Sequence, residues 1–108
     1  MSKAYFDLVS YLEIQKKWST RVFGEGKRTL GLTEHITKEL EEIKAQPDDI
    51  MEWVDVMILA LDGAWRSGHS PVEVCKAMLD KQSINLQRKW NEVKSENESI
   101  HHVKEVGK

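Results

Sequence analysis

The sequence predicts an all-α fold made of four helices. Apolar residues recur at helical spacing in four segments, β-branched alternation is scarce, and no Asn-Gly type hairpin signal occurs. At 108 residues the chain has the length of one domain with a modest core.

The first helix is expected over about Tyr5 to Ser19. Tyr5, Leu8, Tyr11/Leu12 and Gln15 follow helical spacing, and Leu8 and Leu12 form the apolar stripe. Arg21 to Gly31 reads as a loop. Gly24, Gly26 and Gly31 break helix there, and Arg21, Lys27 and Arg28 add positive charge. It is the longest irregular stretch before the tail, and such loops carry function disproportionately.

The second helix is expected from about Thr33, as N-cap, to Ala45. Ile36, Leu40 and Ile43 make its apolar stripe. Glu39 and Glu42 lie on one flank of that stripe, together with His35 and Gln46. Taken alone, the run Glu39, Glu41, Glu42 reads as a solvated face, as most charge runs do. Pro47-Asp48-Asp49 ends this helix and starts the third, which extends to about Arg66. The third helix is apolar almost all round, the pattern of a helix buried on several sides. Ile50, Trp53, Val54, Met57 and Leu61 mark one face, and Glu52, Asp55, Leu59 and Asp62 lie opposite.

Ser67-Gly68-His69 is the next break, which makes His69 a loop residue and not a ligand. Ser70-Pro71-Val72-Glu73 supplies an N-cap, a Pro at N1 and a capping-box Glu at N3. The fourth helix then reaches Trp90 or Val93. Lys81, Asn85 and Arg88 form one polar stripe on it, while Cys75, Leu79, Leu86 and Trp90 lie on an apolar side. The polar and charged tail from Asn91 to Lys108 is expected to fray, and His101-His102 reads as an incidental pair.

Composition excludes several classes. A formal net charge of −2 gives no sign of bulk nucleic-acid or anionic-membrane binding. Lone Cys75 cannot form an intramolecular disulfide and reads as a small buried hydrophobe, and no Cys/His cluster suggests zinc. No signal peptide and no bilayer-spanning apolar run is evident, which favours a cytoplasmic protein.

The chemistry lies in two carboxylate pairs, Glu39/Glu42 and Glu52/Asp55. Each pair has i,i+3 spacing and so shares one helix face. Two facing helices would converge four acids on one point, where they repel unless a divalent cation holds them. Ion pairing with basic residues of the last helix is the competing fate. A hard cation held by carboxylates is the usual partner of a substrate phosphate. Lys81, Asn85 and Arg88 carry donors and charge suited to phosphate oxygens, although an exposed helix face looks the same.

The ordered set resembles the all-α nucleoside triphosphate pyrophosphatases, the MazG-like superfamily, and more closely its small phage and bacterial dATP/dGTP diphosphohydrolase branch (the MazZ-like group). It runs from His35-Ile36-Thr37-Lys38-Glu39-Leu40-Glu41-Glu42-Ile43 through Glu52-Trp53-Val54-Asp55 and Leu59-Ala60-Leu61-Asp62-Gly63. Arg66 to Pro71, the Lys81-Asn85-Arg88 stripe and the Phe23 to Gly31 loop complete it. The spacer between Glu42 and Glu52 is shorter than in many superfamily members, and Asn91 stands where the branch leads one to expect Pro.

The resemblance implies hydrolysis of a (deoxy)nucleoside triphosphate, dGTP or dATP foremost, to the monophosphate and pyrophosphate. It implies Glu39, Glu42, Glu52 and Asp55 as the catalytic acids and holders of Mg²⁺, with Mn²⁺ a possible substitute. One of these acids would serve as general base, and Glu42 is our preference among them. Lys81, Asn85 and Arg88 would orient the phosphates. Gln15, Trp18 and Arg28 are the base-recognition candidates, Trp18 serving equally as core packing. Asp62 is a candidate for an additional metal ligand or for a residue that holds a ligand in place. The pyrophosphohydrolase domain would cover residues 1–94 and a polar tail residues 95–108. A homo-dimer or dimer of dimers would cover the apolar third helix. The alternative is a helical nucleotide-binding or protein-interaction module without catalysis.

Overall fold

Asp7 begins the first helix by accepting hydrogen bonds from the Ser10 backbone N–H and the Ser10 hydroxyl, at 3.2 and 2.9 Å. In this computed structural model, which describes residues 5–90 and 102–103, four helices follow in order: α1 (Leu8–Phe23), α2 (Thr29–Ala45), α3 (Ile50–Arg66) and α4 (Pro71–Gln87). The chain divides into two compact units, Met1–Lys76 and Ala77–Lys108, with the boundary inside α4.

In the first unit α2 packs along α3, and α1 packs on α3. The link between α2 and α3 is short because Asp49 caps α3 at once, accepting from the Met51 N–H at 2.9 Å. Leu12, Trp65 and Val74 form the core, with Leu8, Tyr11, Leu61, Ala64 and Cys75 packed against it. Cys75 is thus part of the apolar packing as expected, although it is only half-buried. The capping box at Ser70 is present in both directions: Ser70 N–H donates to Glu73, and Glu73 N–H donates to Ser70 Oγ.

The structure corrects four boundaries. α1 begins at Leu8, after its cap Asp7, and not at about Tyr5. α1 runs one turn beyond Ser19, to Phe23, so the loop shrinks to residues 24–28. α2 begins at Thr29, so Gly31 is helical and Thr33 is not the cap. Thr33 instead donates its hydroxyl back to the carbonyls of Thr29 and Leu30 at 2.8 and 3.0 Å, which lets a residue of weak helix propensity sit inside the first turns. α4 ends at Gln87, short of the expected Trp90 or Val93. There, in the second unit, Lys89–Trp90 pairs antiparallel with His102–Val103, so the backbone groups that would have continued the helix enter a two-residue ladder. His102 lies in that ladder, and His101 with most of the tail lies outside the described residues. Among the described residues the fold is all-α apart from this ladder.

Burial on α3 also departs from expectation. The face of Ile50, Trp53 and Met57 is more than half exposed at each position. The deeply buried positions of this helix are Asp62, Trp65 and Arg66.

Candidate functional site

Glu39 occupies a position where the sequence of α2 places an inward-facing residue. Leu32, Ile36, Glu39 and Ile43 recur at i, i+4, i+7, i+11, and Leu32 and Ile43 are buried. Glu52 and Asp55 lie on the face of α3 that continues to Leu59 and Asp62, opposite the exposed Ile50 and Met57. Packing α2 on α3 therefore brings the two pairs together. One oxygen each of Glu39, Glu42, Glu52 and Asp55 falls within 4.8 Å of all the others.

The electrostatics of this cluster are unfavourable in the protein alone. Glu39 Oε2 and Glu52 Oε2 are buried and lack a hydrogen-bond partner among the described residues. Burial, and then the adjacent Glu42 carboxyl, raises Glu39 above the ordinary carboxylate value. For Glu52 the Glu42 side chain is the larger cause and burial the second. His35 gives partial relief, with Nε2 3.2 Å from Glu39 Oε1. Two partnerless buried oxygens among four converging acids fit a hard divalent cation, which takes oxygen ligands and offsets their repulsion.

The cluster borders a cleft of about 320 Å³, with Glu39 and Asp55 in its lining. Three residues singled out from sequence, Gln15, Trp18 and Arg28, line the same cleft. Trp18 is 48% exposed and meets Phe23 edge-on, ring centroids 5.6 Å apart. The Arg28 guanidinium stacks over Phe23 at 4.5 Å. This makes one wall of half-exposed flat groups, the kind of surface on which a base can stack. Gln15 is engaged in the interior: its amide donates to the Ile58 carbonyl at 3.0 Å and accepts from Trp65 Nε1 at 3.1 Å. Its visible work is to tie α1 to α3.

Asp62 stands apart from the four-acid cluster, although it also lines the cleft. Its two oxygens take Ser19 Oγ and Arg66 Nε, each at 2.5 Å. Neither Ser19 nor Arg66 stands out in the sequence as a functional residue, although Arg66 opens one of the segments that carry the family resemblance. Ser19 extends the Leu8-Leu12-Gln15 spacing, so its place on the buried stripe was available as a signal. Lys81, Asn85 and Arg88 belong to the second unit. Lys81 is exposed, while Asn85 and Arg88 are half-buried, and Arg88 falls just past the end of α4.

The all-α fold is that of the MazG-like class. Within it, the chain belongs to the dATP/dGTP pyrophosphohydrolase family, whose model matches residues 12–108. The chain is similar to the MazG-like pyrophosphohydrolase of cyanophage S-2L, with a TM-score of 0.71 and 25% identity over 93% of this chain and 100% of that one. That enzyme was solved with dGDP and three catalytic Mn²⁺ ions per active site. The chain is also 39% identical over 61 residues to the Eaa protein of Salmonella phage P22. The match takes in 56% of this chain but spans only 19% of that relative's length.

Proposed function

We propose that this protein hydrolyses a purine deoxynucleoside triphosphate, dGTP or dATP, to the monophosphate and pyrophosphate. The observation that carries this reading is the convergence of Glu39, Glu42, Glu52 and Asp55 at the edge of an aromatic-walled cleft. Family membership and the dGDP- and Mn²⁺-bound cyanophage relative support it.

Glu39, Glu42, Glu52 and Asp55 would hold Mg²⁺, or Mn²⁺ in its place. When bound, such cations offset charge on the phosphate oxygens and make a water more acidic. We assign Glu42, an exposed member of the cluster that adjoins Glu39 and Glu52, as the acceptor of the attacking water's proton. Attack at the α-phosphorus releases pyrophosphate. Trp18 and Phe23 would stack on the base and keep it out of water, with Arg28 beside them. By the family resemblance, Lys81, Asn85 and Arg88 would orient the phosphates. Residues 1–94 would form the pyrophosphohydrolase domain.

The exposed apolar residues of α3 support a homo-dimer or homo-tetramer. Among the described residues no helix is long and apolar enough to cross a membrane. We place the protein in the cytoplasm, acting on a small nucleotide and on neither nucleic acid nor membrane.

The test is turnover of the eight common NTPs and dNTPs with Mg²⁺, with products separated. Monophosphate and pyrophosphate from dGTP or dATP are expected. Glu39→Gln should reduce the rate by about a hundredfold or more, the loss of a few kcal/mol of charge stabilisation. Release of diphosphate and phosphate would overturn the bond assignment. Absence of turnover from folded protein with either metal would overturn catalysis in favour of nucleotide binding.

A further inference from the structure

Arg66 is 6% exposed, lies outside the cleft lining, and uses all three of its guanidinium nitrogens. Nε donates to Asp62. Nη2 donates to the Ser19 carbonyl and hydroxyl at 3.1 and 2.8 Å. Nη1 donates to two loop carbonyls, those of Gly24 at 2.8 Å and Gly26 at 2.9 Å. A buried pair of this kind is weak evidence for stability, because desolvation offsets the attraction. Its geometry is more informative, since one planar fork reaches a helix, a carboxylate and a loop together.

The loop is the part with something to gain. It has five residues, 24–28, and glycines at φ +91° and +89°, a conformation that L side chains rarely adopt. Among the described residues the only side chain bonding its carbonyls at Gly24 and Gly26 is that of Arg66. Immediately before it stands Phe23, and at its end Arg28, whose guanidinium covers the Phe23 ring. The loop path therefore sets the separation and tilt of the two groups that wall the cleft beside Trp18.

From this geometry we infer that Arg66 is a positioning residue for nucleotide recognition: with Asp62 and Ser19 it clamps the Gly24–Gly26 loop and thereby fixes the Phe23–Arg28 wall. This rests on the proposed nucleotide site but assigns Arg66 no contact with nucleotide or metal. The consequence is specific. Loosening the clamp should weaken nucleotide binding while leaving the acid cluster able to hold its cation.

Two variants test it. Arg66→Lys keeps a positive charge beside Asp62 but lacks the fork that spans both loop carbonyls. Gly26→Ala strains the loop from its other end and alters no core group, so it serves if the lysine variant does not fold. Calorimetry with Mn²⁺ alone, and with dGDP in the presence of Mn²⁺, reads the two sites without needing turnover. The expected result is Mn²⁺ affinity within about twofold of the parent, and dGDP affinity weaker by about tenfold or more, the scale of a modest misplacement of a binding group. With dGTP as substrate, KM should rise more than kcat falls. Unchanged dGDP affinity in either folded variant would overturn the clamp, as would an equal loss of Mn²⁺ affinity. A parent that binds dGDP but does not hydrolyse dGTP would refute the proposed catalysis and still permit this test. A parent that binds no nucleotide would refute both.

Discussion

Glu42 lies between Glu39 and Glu52 and perturbs both, which makes the cluster a source of strain until a cation arrives. The sign of the pH effect follows from the raised values of Glu39 and Glu52. Between the ordinary carboxylate value of 4.5 and the raised values, the folded state holds more protons than the unfolded one. Stability without metal must then fall as pH rises through that window. Glu39→Gln removes one ionisable acid, and its amide can donate to a neighbouring carboxylate. Metal-free Glu39→Gln should therefore melt above the parent at neutral pH, with the difference closing below pH 4.5. Saturating Mn²⁺ should reverse the order, because a ligand at a hundred times its Kd stabilises the folded state by about 2.7 kcal/mol. Calorimetric melting of both proteins with and without EDTA measures this. A metal-free parent that melts above Glu39→Gln at pH 7 would contradict it.

Caps and spacing, which act within a few residues, were legible in the sequence at the level of single elements. The Ser70–Glu73 box is the clearest case, since both of its hydrogen bonds form. Ser70→Ala removes the acceptor for the Glu73 N–H and should cost about 1 kcal/mol. Urea denaturation followed by circular dichroism would register that as a lower midpoint with an unchanged slope. The acid pairs were legible for the same reason, because i,i+3 spacing fixes a face before any tertiary contact exists. The start of α2 differs from the expected loop because Gly31 and Thr33 have low helix propensity, yet both lie within the helix, where Thr33 satisfies its hydroxyl on the Thr29 and Leu30 carbonyls. The Ser19–Asp62–Arg66 network was not legible as a network. Ser19 and Asp62 are 43 residues apart, and only the packing of α1 on α3 brings them together.

At the scale of the whole molecule, the first unit has more apolar surface than one copy of the chain covers. Ile50, Trp53 and Met57 are 72%, 52% and 58% exposed, all from one face of α3. Fully burying side chains of this size is worth about 1.5–3 kcal/mol each, so their exposure together is a substantial drive to associate. The same face explains why α3 reads as apolar almost all round while a single copy leaves half of it in water. Its other face carries Glu52 and Asp55, so association through Ile50, Trp53 and Met57 would leave the acid cluster open. Met57→Glu adds a charge to the centre of the apolar face without touching a cluster residue. Sedimentation velocity at micromolar concentration should show the parent as a dimer or tetramer and Met57→Glu as a smaller species, with Mn²⁺ affinity per chain within about twofold. Burial of an unpaired charge costs several kcal/mol, enough to shift such an equilibrium by orders of magnitude. If the parent sediments as a monomer, or if Met57→Glu leaves the oligomer intact, this face is not the one that joins the copies.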